Sequence, residues 1–139
     1  MRPVFIDTGY LLALEFANDQ NHAVAKSHWQ ALLDALPTLI TTSYVFDETV
    51  TFFNSRGYHA KAVEVGNTLL TSPSVHLIQV DEPLFQQGWK LFQQYQDKRY
   101  SLTDCISFAT MLNQGIDDAM TFDRHFAQAG FQMLPGQTA

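Results

Sequence analysis

Four carboxylates stand where their neighbours give them chemical meaning. Asp7 directly follows the apolar run Val4-Phe5-Ile6, and Asp123 directly follows Ala119-Met120-Thr121-Phe122. Short, continuously apolar runs read as strands buried on both faces. In open parallel sheets, sites form beyond the carboxyl ends of such strands, near the point where strand order reverses. A strand-ending Asp also caps turns, but two in one chain weaken that plainer reading. Glu48 falls on a helix expected from Ser43 to Phe53, with Tyr44, Val45, Thr51 and Phe52 three and four residues away. That largely apolar face predicts an inward carboxylate, with Asp47 on another face and no Lys or Arg at helical spacing to compensate it. Asp104 admits two readings. Ser101-Leu102-Thr103-Asp104 matches a capping box, while Phe108 and Met111 share its helix face and would turn it inward.

Four acids brought together repel unless a cation joins them. Mg²⁺ or Mn²⁺ suits such a set, because both take hard oxygen ligands, and either can activate water and stabilise charge on a phosphodiester. Softer metals find little here: one cysteine, Cys105, and five scattered histidines offer neither HExxH nor CxxC spacing. His22, His28, His59 and His76 read as surface or packing residues, and His125 lies close enough to Asp123 to reach a substrate. The seven glycines form no phosphate loop. Asp7-Thr8-Gly9 lacks the second Asp of the haloacid dehalogenase phosphatases, and the paired acid and late Lys of receiver domains are missing. No serine has a base suited to making it a nucleophile.

The elements that must position these acids alternate. Strands are expected at Val4–Ile6, Thr38–Thr42, Val75–Val80, Ala119–Phe122 and Phe131–Leu134. Helices are expected over Tyr10–Phe16, Ala23–Leu36, Ser43–Phe53, Tyr58–Leu70, Pro83–Asp97 and Ser101–Gln114, with a short turn of helix over Asp123–Gln128. This predicts an α/β fold, with a mostly parallel central sheet flanked by helices on both sides. No repeat, low-complexity segment or linker interrupts it, so a single domain over 1–139 is expected.

A chain of 139 residues with 46% hydrophobic residues and eleven Phe can bury a real core and is not disordered. No apolar run approaches the ~20 residues of a membrane span, and Asp7 comes too early for a signal peptide. With a lone cysteine unable to form an internal disulfide, a cytoplasmic protein is expected. The formal charge of −6 runs against nucleic-acid binding, unless the acids are concentrated in a metal site. The 16% of charged residues is low for a soluble surface and favours a partner or self-association.

Taken in order, four fragments resemble the PIN domain, specifically the toxin-type ribonucleases of the VapC class. They are Val4-Phe5-Ile6-Asp7-Thr8-Gly9, then Thr42-Ser43-Tyr44-Val45-Phe46-Asp47-Glu48, then Ser101-Leu102-Thr103-Asp104-Cys105-Ile106-Ser107-Phe108, and last Thr121-Phe122-Asp123-Arg124-His125-Phe126. The resemblance covers nearly the whole chain. It implies a three-layer PIN-like fold and a Mg²⁺- or Mn²⁺-dependent endoribonuclease that cleaves RNA by water attack. Asp7 and Asp104 are then the main metal ligands, Glu48 and Asp123 complete the acidic site, and Thr8 and Thr121 support it by hydrogen bonding. Arg99 and Arg124 lie closest in sequence to the site acids among the residues able to hold RNA. The resemblance also implies a homodimer and a small antitoxin whose tail blocks the site. Two rival readings stay open: a PIN-fold protein-binding module without nuclease activity, and a metal-dependent phosphatase.

Overall fold

Short runs of apolar residues settle into one sheet because only burial on both faces removes all of their side chains from water. A computed structural model describes residues 2–136, so the two ends of the expected 1–139 domain lie outside the described residues. The strands are β1 (Val4–Ile6), β2 (Leu39–Thr42), β3 (Val75–Ile78), β4 (Asp118–Met120) and β5 (Gln132–Leu134), in the order β3-β2-β1-β4-β5. All four pairings are parallel, where the sequence led us to expect a mostly parallel sheet. The chain steps from β1 outward to β3, then returns to the far side of β1 for β4 and β5. Strand order therefore reverses between β1 and β4.

Seven helices cover this sheet: α1 (Thr8–Glu15), α2 (His22–Leu32), α3 (Ser43–Ser55), α4 (His59–Thr71), α5 (Glu82–Gln94), α6 (Leu102–Gln114) and α7 (His125–Gln128). Alternation along β1 sends its side chains to opposite layers. Ile6 joins Leu11, Leu39, Val65 and Val75 beneath α1, α2 and α4. The Phe5 ring instead lies 6.2 Å from Phe126, which in turn meets Phe108 of α6 at 5.0 Å. The result is the three-layer arrangement expected from the sequence. None of the helices among the described residues is long and apolar enough to cross a membrane.

Local chemistry sets where the helices begin. The Thr42 hydroxyl accepts from the Val45 N–H at the start of α3, and the Asp81 carboxylate accepts from the Leu84 N–H at the start of α5. Ser101 and Asp104 close a full capping box on α6, and Gly115 ends that helix at φ 66°. Eight consecutive residues of α6, Asp104 to Met111, are buried, so this helix is enclosed on every side rather than lying on the surface.

The packing of α5 on α6 depends on Gly88. A Cβ there would stand 2.4 Å from Ile106 Cγ1, 3.1 Å from its Cα and 3.2 Å from its N, and backbone atoms cannot swing aside. Gly88→Ala is therefore expected to destabilise the protein by about 1–3 kcal/mol, despite the helix propensity of alanine. Urea unfolding would read this as a lower midpoint, and an unchanged or higher midpoint would show that α5 can shift without cost.

Candidate active site

The site grows from the strand ends at the reversal point. Asp7 leaves β1 as the N-cap of α1, yet its side chain makes no capping hydrogen bond. Instead its Oδ2 accepts from the Thr121 hydroxyl at 2.9 Å, across 114 residues of chain. The same Thr121 oxygen accepts the Asp123 N–H at 3.0 Å, so one buried hydroxyl ties the two strand-end acids together. β4 itself stops at Met120, two residues earlier than the sequence suggested. The Thr121 N–H still bonds to the Leu134 carbonyl, but its side chain turns the chain toward the site. Asp123 does hold a turn, since its Oδ1 accepts the His125 N–H.

Asp104 fulfils both of its readings at once. Its Oδ2 accepts the Ser101 N–H at 3.1 Å, completing the cap, and the residue is nonetheless only 9% exposed. The same oxygen lies 3.1 Å from His125 Nδ1, which is also 3.4 Å from Asp123 Oδ1. An ionised carboxylate only accepts, so the hydrogen in that contact is carried by Nδ1. The Tyr100 ring packs edge-on against His125 at 5.1 Å and fixes its plane. Sequence reading placed His125 near Asp123 but missed its link to Asp104. The Asp123-x-His125 spacing, which suits a side-chain turn, was the signal available.

Glu48 departs from expectation. It is exposed, not turned inward, and the buried positions of α3 are Val45, Thr49 and Phe53. The apolar neighbours at three and four residues flank Glu48 instead of covering it, because the helix presents Thr49 to the core. Nor is it without a partner: Thr8 Oγ1 donates to Glu48 Oε1 at 2.7 Å. Asp104, Asp123 and His125 thus form the compact group, Thr121 joins Asp7 to it, and Glu48 stands at the rim, held by the residue after Asp7. Arg99 and Arg124 are both exposed, with no ion pair among the described residues.

Burial is the main reason that the Asp7 carboxyl is pushed up to about 7. Asp104 and Asp123 add repulsion, and the Thr121 hydroxyl and Thr8 backbone N–H draw it partly back. Asp104 is also raised, again chiefly by burial, against the opposing pull of the Ser101 N–H and of His125. No Lys or Arg among the described residues pairs with any of the four acids. Ligand atoms of Asp104, Asp123 and His125 lie within 4.8 Å of one another. Buried carboxylates without a Lys or Arg partner, with oxygen donors predominating, fit a hard divalent cation.

This fold and acidic centre define a class, and the comparisons agree. The PIN domain family model matches residues 4–132. The chain belongs to the PIN-domain family, among its VapC-type ribonuclease toxins. It is 35% identical over 128 residues to the 23S rRNA-specific endonuclease VapC20 of Mycobacterium tuberculosis, covering 92% of this chain and 95% of that protein. The crystal structure of that VapC20, described as a sarcin-ricin loop cleaving toxin, superposes with a TM-score of 0.84 at 34% identity, over 92% of this chain and 95% of that one. FitAcB from Neisseria gonorrhoeae shares the fold at TM-score 0.66 and 16% identity, over 94% and 95% of the two chains. A toxin–antitoxin complex from Klebsiella pneumoniae does so at 0.61 and 18%, over 98% and 96%.

Proposed function

We propose that the chain is a Mg²⁺- or Mn²⁺-dependent endoribonuclease toxin, with ribosomal RNA of the kind named for VapC20 as its first candidate substrate. The observation that carries this reading is the buried acidic centre at the strand reversal, joined by Thr121 and lacking any Lys or Arg partner. Asp7, Asp104 and Asp123 would hold the cation, with Glu48 completing the set from the rim. Bound there, the cation supplies charge stabilisation to the phosphodiester and lowers the pKa of the attacking water.

The chain's own residues do the rest. Thr121 orients the Asp7 carboxylate toward the centre, and Thr8 fixes Glu48. His125 donates from Nδ1 to Asp104, which holds that carboxylate in place and leaves Nε2 as the atom able to take up or deliver a proton. Arg124, next to Asp123, and Arg99, before the α6 cap, would meet phosphates of the RNA. A homodimer and a small antitoxin that covers the site belong to this reading. Light scattering is expected to give about twice the 15.7 kDa chain mass.

The deciding experiment is incubation of the pure, partner-free chain with 23S rRNA and with a panel of RNAs, in Mg²⁺, in Mn²⁺ and in EDTA. Discrete fragments that disappear in EDTA are expected. If no RNA is cut at any metal concentration, the protein-binding module gains the ground, and turnover of small phosphate esters would favour a phosphatase. Within the nuclease reading, Thr121→Val is expected to keep the fold, raise the Asp7 carboxyl further and lower cleavage by roughly 10–100-fold. Steady-state rates across a Mg²⁺ titration check this, and a wild-type rate would free Thr121 of any role.

A further inference from the structure

The acidic centre explains how a phosphodiester is cut but not how a negatively charged protein holds RNA. One face carries features suited to that task. On α5, the Trp89 and Phe92 rings stack 5.5 Å apart and 10° from parallel, and the residues stay 42% and 39% exposed. Isolated exposed aromatics are ordinary, but a stacked pair presents a flat, rigid surface. From Trp89 to Arg99 the segment carries three cations against one acid, Asp97. Lys90, Lys98 and Arg99 are all exposed, and their only ion pair among the described residues is the 3.9 Å contact of Lys98 with neighbouring Asp97. Elsewhere Arg2 is bound to Asp117, Lys61 to Glu15, and Arg56 lies over the Phe52 ring, while Lys26 and Arg124 are exposed without an ion pair among the described residues.

The helix that carries this pair also leads toward the site. α5 runs antiparallel to α6, with Gly88 on Ile106 and the Tyr95 ring 5.1 Å from Tyr100. Tyr100 in turn meets His125. Trp89 is five residues from the end of α5, roughly 8 Å of helix, after which the chain turns back to the Ser101–Asp104 cap.

We propose that Trp89 and Phe92, with Lys90, Lys98 and Arg99, form a platform that stacks bases of a single-stranded RNA segment running into the acidic centre. This rests on the ribonuclease reading above. Sites for single strands combine aromatic faces with cations that track the backbone, whereas the cores of protein interfaces are depleted of Lys. The mixture found here favours RNA over a protein partner.

The test uses the full chain and a fluorescein-labelled single-stranded RNA, in EDTA for binding and in Mg²⁺ for cleavage. Trp89→Ala and Phe92→Ala are each expected to weaken binding roughly five- to a hundredfold, raising KM with kcat kept, and Trp89→Phe should retain most affinity. Lys98→Gln and Arg99→Gln should each flatten the salt dependence by about 0.7. In a Trp29→Phe chain, RNA should quench the remaining Trp89 emission. If the wild type binds and cuts while Trp89→Ala does so equally well, the platform is overturned and the nuclease reading stands. A change in oligomeric mass with KM unmoved also overturns it, assigning the face to a second copy. If the wild type cuts no RNA, both readings fall together.

Discussion

Replacing Asp104 by Asn is expected to lower RNA cleavage by at least about a thousandfold while leaving the fold in place. A thousandfold corresponds to about 4 kcal/mol of transition-state stabilisation, within the several kcal/mol that a correctly held cation supplies. The substitution removes a full negative charge where the centre concentrates it, and weakens the acceptor that orients His125. The capping function survives, because the amide oxygen of Asn can still accept the Ser101 N–H. Single-turnover cleavage and a denaturant melt, read together, check both halves. A loss of stability of about 1 kcal/mol or more with only a modest rate change would make the cap the main role of Asp104.

The second large effect concerns stability without metal. Because the Asp7 carboxyl is raised from its usual 3.8 to about 7, the folded chain binds a proton there that the unfolded chain has already lost. Folding stability attributable to this group is therefore full below pH ~4 and falls as pH rises through about 7. The loss amounts to at most about 4 kcal/mol. Asp104, raised in the same direction, adds to the trend. Asp7→Asn is expected to flatten the decline and to be more stable than wild type in EDTA at pH 8, while losing cleavage. Mg²⁺ should raise the wild-type Tm most at high pH and affect Asp7→Asn far less. Melts at pH 5 and 8, with EDTA or Mg²⁺, decide. Equal pH slopes for wild type and Asp7→Asn would place the strain elsewhere.

The fold was legible because β1 is buried on both faces and reads as an unbroken apolar run, while the less buried β3 and β5 still alternate with clearly marked helices. The start of α6 was legible for a different reason, its local Ser101–Asp104 capping box, and Thr42 and Asp81 cap α3 and α5 by equally local bonds. The site was legible only in its ingredients. Asp7 and Asp123 stood out at strand ends, but the Thr121 hydroxyl that joins them acts across 114 residues, a separation no local pattern records. Glu48 shows the opposite failure. Helical spacing named its neighbours correctly, yet which flank of α3 faces the core is set by the packing of Val45, Thr49 and Phe53. Asp104 looked ambiguous because two true roles were treated as rivals.

The reversal of strand order has a consequence for how the protein is made. Asp7 leaves the ribosome before Glu48 and Asp104, and β4 with Thr121 and Asp123 follows all three. Until β4 pairs with β1, nothing holds Asp7 against Thr121 or brings Asp123 to Asp104. A nascent chain that stops before β4 carries Asp7, Glu48 and Asp104 without the strand that joins them to Asp123. For a chain with a relative named as a 23S rRNA-specific endonuclease, the topology withholds the blade until β4 has been made.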